Sequence, residues 1–166
     1  GGPRRTAGES VTALGEAIEV FRAWFGDDRT VRVEGEYHRV VGAHAAPKPA
    51  HPIGLWLGAY KPRMLRLTGA KADGWLPSLG YLPPEDVPAA TARIDEAARS
   101  AGRDPASVAR IYNVWGDKPA AEWIDLLSRW TEALGFDGYV FGGPPTEAFL
   151  RTLAEEIAPA VRERVG

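Results

Sequence analysis

The sequence contains no cysteine, and this absence limits its chemistry. Without thiols the chain can form neither a disulfide framework nor a thiolate metal site. No apolar run approaches the ~18–20 residues of a membrane span, and no signal peptide is recognisable. Charge of one sign is not in excess, because 20 Lys and Arg stand against 22 Asp and Glu. This balance favours neither nucleic acid nor a membrane surface as a partner, and a cytoplasmic setting is the default expectation.

The signatures of several common enzyme classes are also missing. The chain has no G-x-S-x-G elbow, P-loop or G-x-G-x-x-G, which argues against hydrolase, NTPase and Rossmann dinucleotide chemistry. The three histidines share neither a helical face nor a metal-ligand spacing, so we predict no metal site; they are His38, His44 and His51. The acidic pairs are typical of solvated surfaces, and no general acid–base pair is predicted.

What the sequence does contain is an alternation of helices with short apolar strands. Its 166 residues are 45% hydrophobic and 25% charged, as expected of one globular domain with a real core. Strands are predicted near 53–57, 74–77, 108–115 and 138–141, with helical apolar repeats between them. A small β-hairpin is predicted before them, with a tight turn at Glu34-Gly35. The alternation predicts an α/β fold with parallel strands, and it fits either an open sheet or part of a barrel.

Local signals predict where several helices begin and end. Thr6 and Glu9 have capping-box spacing, so a helix should start there and stop at Gly26. The helix that begins near Pro62 is expected to end at Gly69. Gly135 is expected to be left-handed, with Phe136 as the apolar residue after it.

The stretch from Ile53 to Trp75 is the most informative one. It predicts a strand, a turn at Gly58-Ala59, a helix opening at Pro62 and a second strand. First-turn amides of a helix have no partner within the helix, and they lie at the positive end of its dipole. Lys61 and Arg63 add positive charge beside this turn, so the turn is a candidate anion site.

Three phrases give the chain a specific resemblance. PIGLWLGAYKPRMLRLTGAKADGW, IDEAARSAGRDPASVARIYNVWG and LGFDGYVFGGP, in that order, resemble the C-terminal half of the luciferase-like monooxygenase family. Two earlier segments, at 1–25 and 30–40, resemble the family's fourth-unit helix and its hairpin insertion. The resemblance implies a (β/α)8 TIM-type barrel of which the chain supplies strands five to eight. Barrels of this class take ~250 residues, so we interpret residues 1–166 as a single partial domain that lacks the N-terminal half.

The resemblance also implies a set of site residues. In the family, the loop after strand five and the loop after strand four face the cofactor phosphate. By this mapping the cofactor-binding residues are Gly58, Ala59, Tyr60, Lys61, Arg63, Arg4 and Arg5. The substrate pocket would be lined by Trp75, Tyr81, Tyr112 and Trp115, with plain core packing as the alternative for each. Asp73 is expected to bind backbone amides and not to act as an acid or base.

The function implied is that of an oxidoreductase that uses FMN or coenzyme F420 on a small organic substrate. Either hydride transfer at the deazaflavin or oxygen activation at the flavin fits the resemblance, and catalytic residues are not assigned. The fragment alone is expected to be inactive if its other half is required. Two alternatives remain open: a non-catalytic β/α module that acts in assembly, with a homo-oligomer or the missing half as partner, and a different β/α enzyme with a phosphate-bearing substrate.

Overall fold

The computed structural model describes residues 2, 4–143 and 146–166. Six helices are α1 (Ala7–Phe25), α2 (Pro62–Lys71), α3 (Val87–Ser100), α4 (Ala120–Leu134), α5 (Glu147–Thr152) and α6 (Ala158–Val165). Six strands are β1 (Thr30–Glu34), β2 (Arg39–His44), β3 (Trp56–Leu57), β4 (Gly74–Trp75), β5 (Ala109–Val114) and β6 (Gly138–Phe141). Among the described residues, no helix has the length and apolar character needed to cross a membrane.

The main sheet has four parallel strands in the order β3-β4-β5-β6. Neighbours in the chain are therefore neighbours in the sheet, and a helix (α2, α3 or α4) lies between each pair in sequence. Because the strands are parallel, their carboxyl-terminal ends lie along the same edge of the sheet, at right angles to the strands. The loops that follow the strands are therefore neighbours at this carboxyl edge. The predicted parallel α/β architecture is confirmed, as is a separate antiparallel hairpin of β1 and β2.

The core lies on one face of this sheet only. Leu57, Trp75 and Arg110 are register partners on that face, and Trp75 is completely buried. One apolar cluster joins Trp75 to the helices through Leu65 of α2, Ile94 of α3 and others. The helices of this cluster therefore pack on a single face of a sheet whose strands follow in sequential order.

The predicted ends of α1 and α4 are confirmed. The Thr6 hydroxyl accepts from the Glu9 amide at 3.3 Å, and the Glu9 carboxylate accepts from the Thr6 amide at 2.6 Å. Gly26 is the residue after the last turn of α1. Gly135 is left-handed at φ 70°, and Phe136 behind it is buried.

The prediction that α2 ends at Gly69 was wrong. The helix continues to Lys71, and the Ala72 amide donates to the Thr68 carbonyl at 2.9 Å. Gly69 is needed for packing instead, because a Cβ there would lie 2.1 Å from the Ile94 carbonyl oxygen of α3. The glycine lets the two helices approach closely.

The prediction of a tight turn at Glu34-Gly35 was also wrong. Glu34 pairs with Arg39, so residues 35–38 form the loop. The Gly35 amide donates to the His38 carbonyl at 2.9 Å. The longer loop is stabilised by Glu16 of α1, whose carboxylate accepts three of its backbone amides. The longer loop is therefore stabilised by a contact with α1, which the local sequence of the hairpin does not reveal.

β3 and β4 are both shorter than predicted. Before β3, the Asp73 side chain replaces part of the ladder. The Leu55 amide donates to the Asp73 carboxylate at 2.7 Å, and the Asp73 amide returns to the Leu55 carbonyl at 2.8 Å. Residues 53–55 therefore precede β3 as extended chain and do not form part of it.

Candidate functional site

The loop between β3 and α2 lies at the shared carboxyl edge of the sheet. Ala59 is buried, and its carbonyl accepts from the Trp75 indole Nε1 at 2.9 Å. This bond ties the loop to the neighbouring strand. Gly58 is exposed and has an ordinary negative φ, and a Cβ there would meet only the Leu76 carbonyl, at 3.5 Å. Internal packing therefore does not require a glycine at this position.

The N-terminus of α2 has the properties of an anion site. Lys61 occupies the N-cap without a side-chain hydrogen bond to the helix, and the first turn contains no acidic residue. Pro62 follows at the first helical position, where its missing N–H costs nothing. By contrast, the N-terminus of α1 is closed by the Thr6–Glu9 capping box. The free first-turn amides and the exposed Lys61 ammonium group thus remain available to an anion.

The N-termini of α1 and α2 lie side by side. The Arg63 guanidinium group reaches across to α1, where its Nη2 is 3.4 Å from the Thr12 hydroxyl. A Cβ on Gly8 would lie 2.9 Å from Nη1 of Arg63. The Arg63 side chain is therefore directed toward α1. Lys61 is the basic residue next to the loop between β3 and α2.

Arg4 and Arg5 precede α1, and both are exposed. The Arg5 guanidinium carbon stands 5.0 Å from the centre of the Tyr37 ring, at the hairpin loop. Arg63 thus contacts α1, whereas Arg5 contacts the hairpin loop.

An aromatic rim borders the same edge of the sheet. The Tyr60 and Tyr81 rings are 5.6 Å apart, and Tyr81 is 77% exposed. The Trp115 ring covers Gly80, where a Cβ would lie 2.7 Å from Cζ2 of the indole. Tyr60, Tyr81 and Trp115, here called the aromatic rim, can offer apolar surface to a planar ligand.

The other two residues of the predicted pocket, Trp75 and Tyr112, lie elsewhere. Both are 0% exposed. The Tyr112 ring stacks on Phe136 at 4.5 Å and its hydroxyl donates to the Leu82 carbonyl. Burial raises the pKa of Tyr112 to about 12. These side chains have no surface left for a ligand, so we assign them to the core.

The second face of the sheet is only partly covered, and its strand positions carry no charged side chain. Here called the inner face, it comprises Trp56, Gly74, Ala109, Ile111, Asn113, Gly138 and Val140, by strand register. Trp56 is 46% and Val140 48% exposed. The Asn113 amide donates to the Ser78 hydroxyl at 3.1 Å. Such a patch of exposed apolar residues is typical of a surface that another element covers.

Sequence reasoning did not single out Trp56. The run 53–57 was interpreted as a buried strand, although the alternation of side chains along a strand places Trp56 and Leu57 on opposite faces. Gly74 supplied a second signal. A Cβ there would lie 2.6 Å from the Trp56 ring, so the glycine makes room for the indole.

Asp73 has the structural role expected of it. Its carboxylate accepts from the Leu55 amide and from the Arg22 guanidinium group, the latter at 2.6 Å. Burial acts to raise its pKa, but the hydrogen bonds from Arg22 and Leu55 outweigh burial and leave the pKa lowered. A carboxylate held in this way is a poor base. Among the described residues, no three His, Asp or Glu side chains converge as metal ligands.

Comparison with curated proteins gives matches to reductases. A phthiodiolone/phenolphthiodiolone dimycocerosates ketoreductase of Mycobacterium kansasii is 35% identical over 59% of this chain and 27% of its own length. A 5,10-methylenetetrahydromethanopterin reductase of Archaeoglobus fulgidus is 29% identical over 91% of this chain and 43% of its own length. The chain therefore spans less than half the length of these relatives.

Solved structures share the fold. An F420-dependent secondary alcohol dehydrogenase, solved with an F420-acetone adduct, superposes with a TM-score of 0.82 at 19% identity. The match covers 96% of this chain and 64% of that one. The family model described as luciferase-like monooxygenase matches residues 4–164, which is nearly the whole sequence. The chain therefore belongs to the luciferase-like monooxygenase family.

Proposed function

We propose that this chain is the cofactor-phosphate-binding, C-terminal half of a TIM-type barrel oxidoreductase that uses coenzyme F420 or FMN. The observation that carries this proposal is the uncapped N-terminus of α2 with Lys61 beside it. Family membership and the F420-dependent enzyme named among the structural relatives support it. The substrate would be a small organic molecule.

The described residues fit the phosphate of either cofactor. Backbone amides of Tyr60 and Lys61, with the Lys61 side chain, would bind the phosphate at the start of α2. Arg63 of α2 and Arg5, which precedes α1, would add charge. Bonds from charged donors to phosphate are short and strong, and the helix dipole favours the same anion.

The aromatic rim would hold the planar part of the ligand. Tyr81 and Trp115 are exposed, and they lie at the carboxyl edge where active sites of β/α barrels are built. These side chains would exclude water and orient the ring. The cofactor itself would supply the redox chemistry, which explains why this wall needs no acid–base pair.

A second candidate is a non-catalytic module that functions only in assembly. The inner face favours it, because Trp56 and Val140 are each about half exposed there. The two candidates differ in whether the start of α2 binds a phosphate-bearing cofactor.

The experiment compares FMN with riboflavin, which lacks the phosphate, by titration into the 166-residue chain. Backbone amide NMR shifts report binding at 59–64. We expect FMN, and not riboflavin, to shift these amides, with Lys61→Ala weakening the affinity by roughly 1–3 kcal/mol. Coenzyme F420 is titrated in the same way, against its phosphate-free deazaflavin core.

The matched control is Arg129→Ala, which removes an exposed cation from α4. It should leave the affinity unchanged. Equal shifts for FMN and riboflavin, or identical affinities of Lys61→Ala and the parent chain, would count against the phosphate site. If neither cofactor shifts these amide signals, the result favours the assembly module.

A further inference from the structure

The hairpin loop 35–38 is fixed to α1 by one carboxylate. Glu16 accepts from the backbone amides of Glu36, Tyr37 and His38 at 2.9, 2.8 and 2.9 Å. Burial acts to raise the pKa of Glu16, but these three donors outweigh it and lower the pKa. A carboxylate that accepts several amides in this way favours its ionised form. The loop is therefore ordered around a charge supplied by another element.

Gly35 makes this contact possible. A Cβ at Gly35 would lie 2.3 Å from Oε2 and 2.4 Å from Cδ of Glu16, so a side chain there would displace the carboxylate. Glu16 and Gly35 thus form a matched pair. The pair determines how the hairpin loop lies against α1.

The bound loop places Tyr37 beside Arg5. The Tyr37 amide is one of the three donors to Glu16, so this contact holds the backbone from which the ring projects. The Arg5 guanidinium carbon lies 5.0 Å from the ring centre, within the range of a cation–π interaction. Arg5 otherwise lies in exposed chain before α1.

We propose that Glu16 is a positioning residue for the cofactor phosphate, acting through the hairpin loop and Tyr37 on Arg5. Glu16 does not touch the ligand. It holds the loop, the loop holds the Tyr37 ring, and the ring limits the directions in which the Arg5 guanidinium group can point. The inference rests on the proposed function, since Arg5 is assigned there to the phosphate.

A double-mutant cycle tests the inference. FMN affinity is measured for the 166-residue chain and for Glu16→Gln, Arg5→Ala and the double variant. We expect Arg5→Ala to raise the Kd roughly tenfold, the scale of one charged hydrogen bond. Glu16→Gln should raise the Kd by a smaller factor, because Arg5 remains present but less ordered. In the Arg5→Ala background, Glu16→Gln should have no further effect.

The variants at Tyr37 give a second measurement. Tyr37→Phe keeps the ring and should retain the parent Kd, whereas Tyr37→Ala should match Glu16→Gln. Glu16→Asp, which keeps the charge, should partly restore the affinity. The inference is overturned if Glu16→Gln weakens FMN affinity by the same factor in the parent chain and in the Arg5→Ala background. A purely structural role of Glu16 would not depend on Arg5.

Failure of the proposed function gives a different result. In that case Arg5→Ala itself leaves the Kd unchanged, or FMN does not bind. Amide hydrogen exchange at 36–38 is measured in parallel and should increase in Glu16→Gln. Unchanged exchange would overturn the inference independently of any cofactor, because the loop would then not depend on the carboxylate.

Discussion

At the scale of single residues, the Asp73 carboxylate links three separate segments of the chain. It joins the chain before β3 to the start of β4, and it binds Arg22 of α1. Sequence reasoning predicted its role as an acceptor of backbone amides but could not predict Arg22, 51 positions away. Partners distant in sequence depend on the packing of helices, which local patterns do not encode.

Asp73→Ala should lower the free energy of unfolding by roughly 1–3 kcal/mol, because it leaves the Leu55 amide and the Arg22 guanidinium group without their acceptor. Urea denaturation measures the change. The control is Asp125→Ala, which removes an ion pair with Arg164 whose carboxylate is 71% exposed. Exposed pairs contribute about 0–1 kcal/mol, so the control should cost less. Similar losses in both variants would contradict the assigned role.

The stabilising effect of Asp73 should also depend on pH. Its pKa is lowered in the folded protein, so the carboxylate contributes stability above its ordinary pKa of about 3.9. That contribution is lost as the pH falls through the lowered folded-state value. The difference in unfolding free energy between the parent and Asp73→Ala should be constant from about pH 5 to pH 7, because this range lies above the ordinary pKa of about 3.9. The difference should shrink in more acidic solution. A difference that grows with acidity would contradict this sign.

At the scale of elements, the closest contact is the one between α2 and α3. Gly69 lies against the Ile94 carbonyl and the Ala98 amide, at 2.1 and 3.0 Å from where a Cβ would be. The sequence indicated only a glycine in a helical pattern, and we interpreted it as a stop signal. The same residue type marks helix ends and close crossings, so the distinction required the neighbouring helix.

Gly69→Ala should destabilise the fold by about 1–3 kcal/mol, because the new methyl group overlaps backbone that cannot move freely. Gly15→Ala is the matched control within α1. Its Cβ would meet only the ends of two side chains, Leu67 at 3.4 Å and Lys71 at 3.9 Å, and alanine favours a helix by roughly 0.5–1 kcal/mol. Thermal denaturation of both variants checks the prediction. A neutral Gly69→Ala would show that the two helices can separate at little cost.

Other elements were predictable because their signals are local. The capping box of Thr6 and Glu9 and the left-handed Gly135 follow from spacing alone and were confirmed. The hairpin loop was not, since Glu16 lies about 20 positions from the amides it binds. The candidate phosphate site was reached through a glycine turn and a basic helix start. The aromatic rim was only half predicted, because alternation did not reveal which aromatic residues face the helices.

At the scale of the whole molecule, one face of the sheet is packed and the other is open. Trp75 and Tyr112 are fully buried on the helix side, whereas Trp56 and Val140 are about half exposed on the inner face. In a barrel of eight strands, a second set of four would cover this face.

The chain studied alone should therefore bind a hydrophobic dye such as ANS, or self-associate in proportion to its concentration. Val140→Lys places a charge on the inner face and should reduce both, without lowering the unfolding temperature. Val41→Lys, on an equally exposed site of the hairpin, is the control and should change neither. Light scattering and dye fluorescence make the comparison. A monomer that binds no dye would show that the inner face needs no cover.

The composition of the inner face also limits which side chains could transfer protons. Its strand positions comprise aromatic, aliphatic, glycine and amide residues only. If this wall encloses a redox reaction, none of those side chains can deliver or remove a proton. Any acid or base seen in a pH–rate profile then belongs to the loops above the strands or to the opposite side of the enclosure.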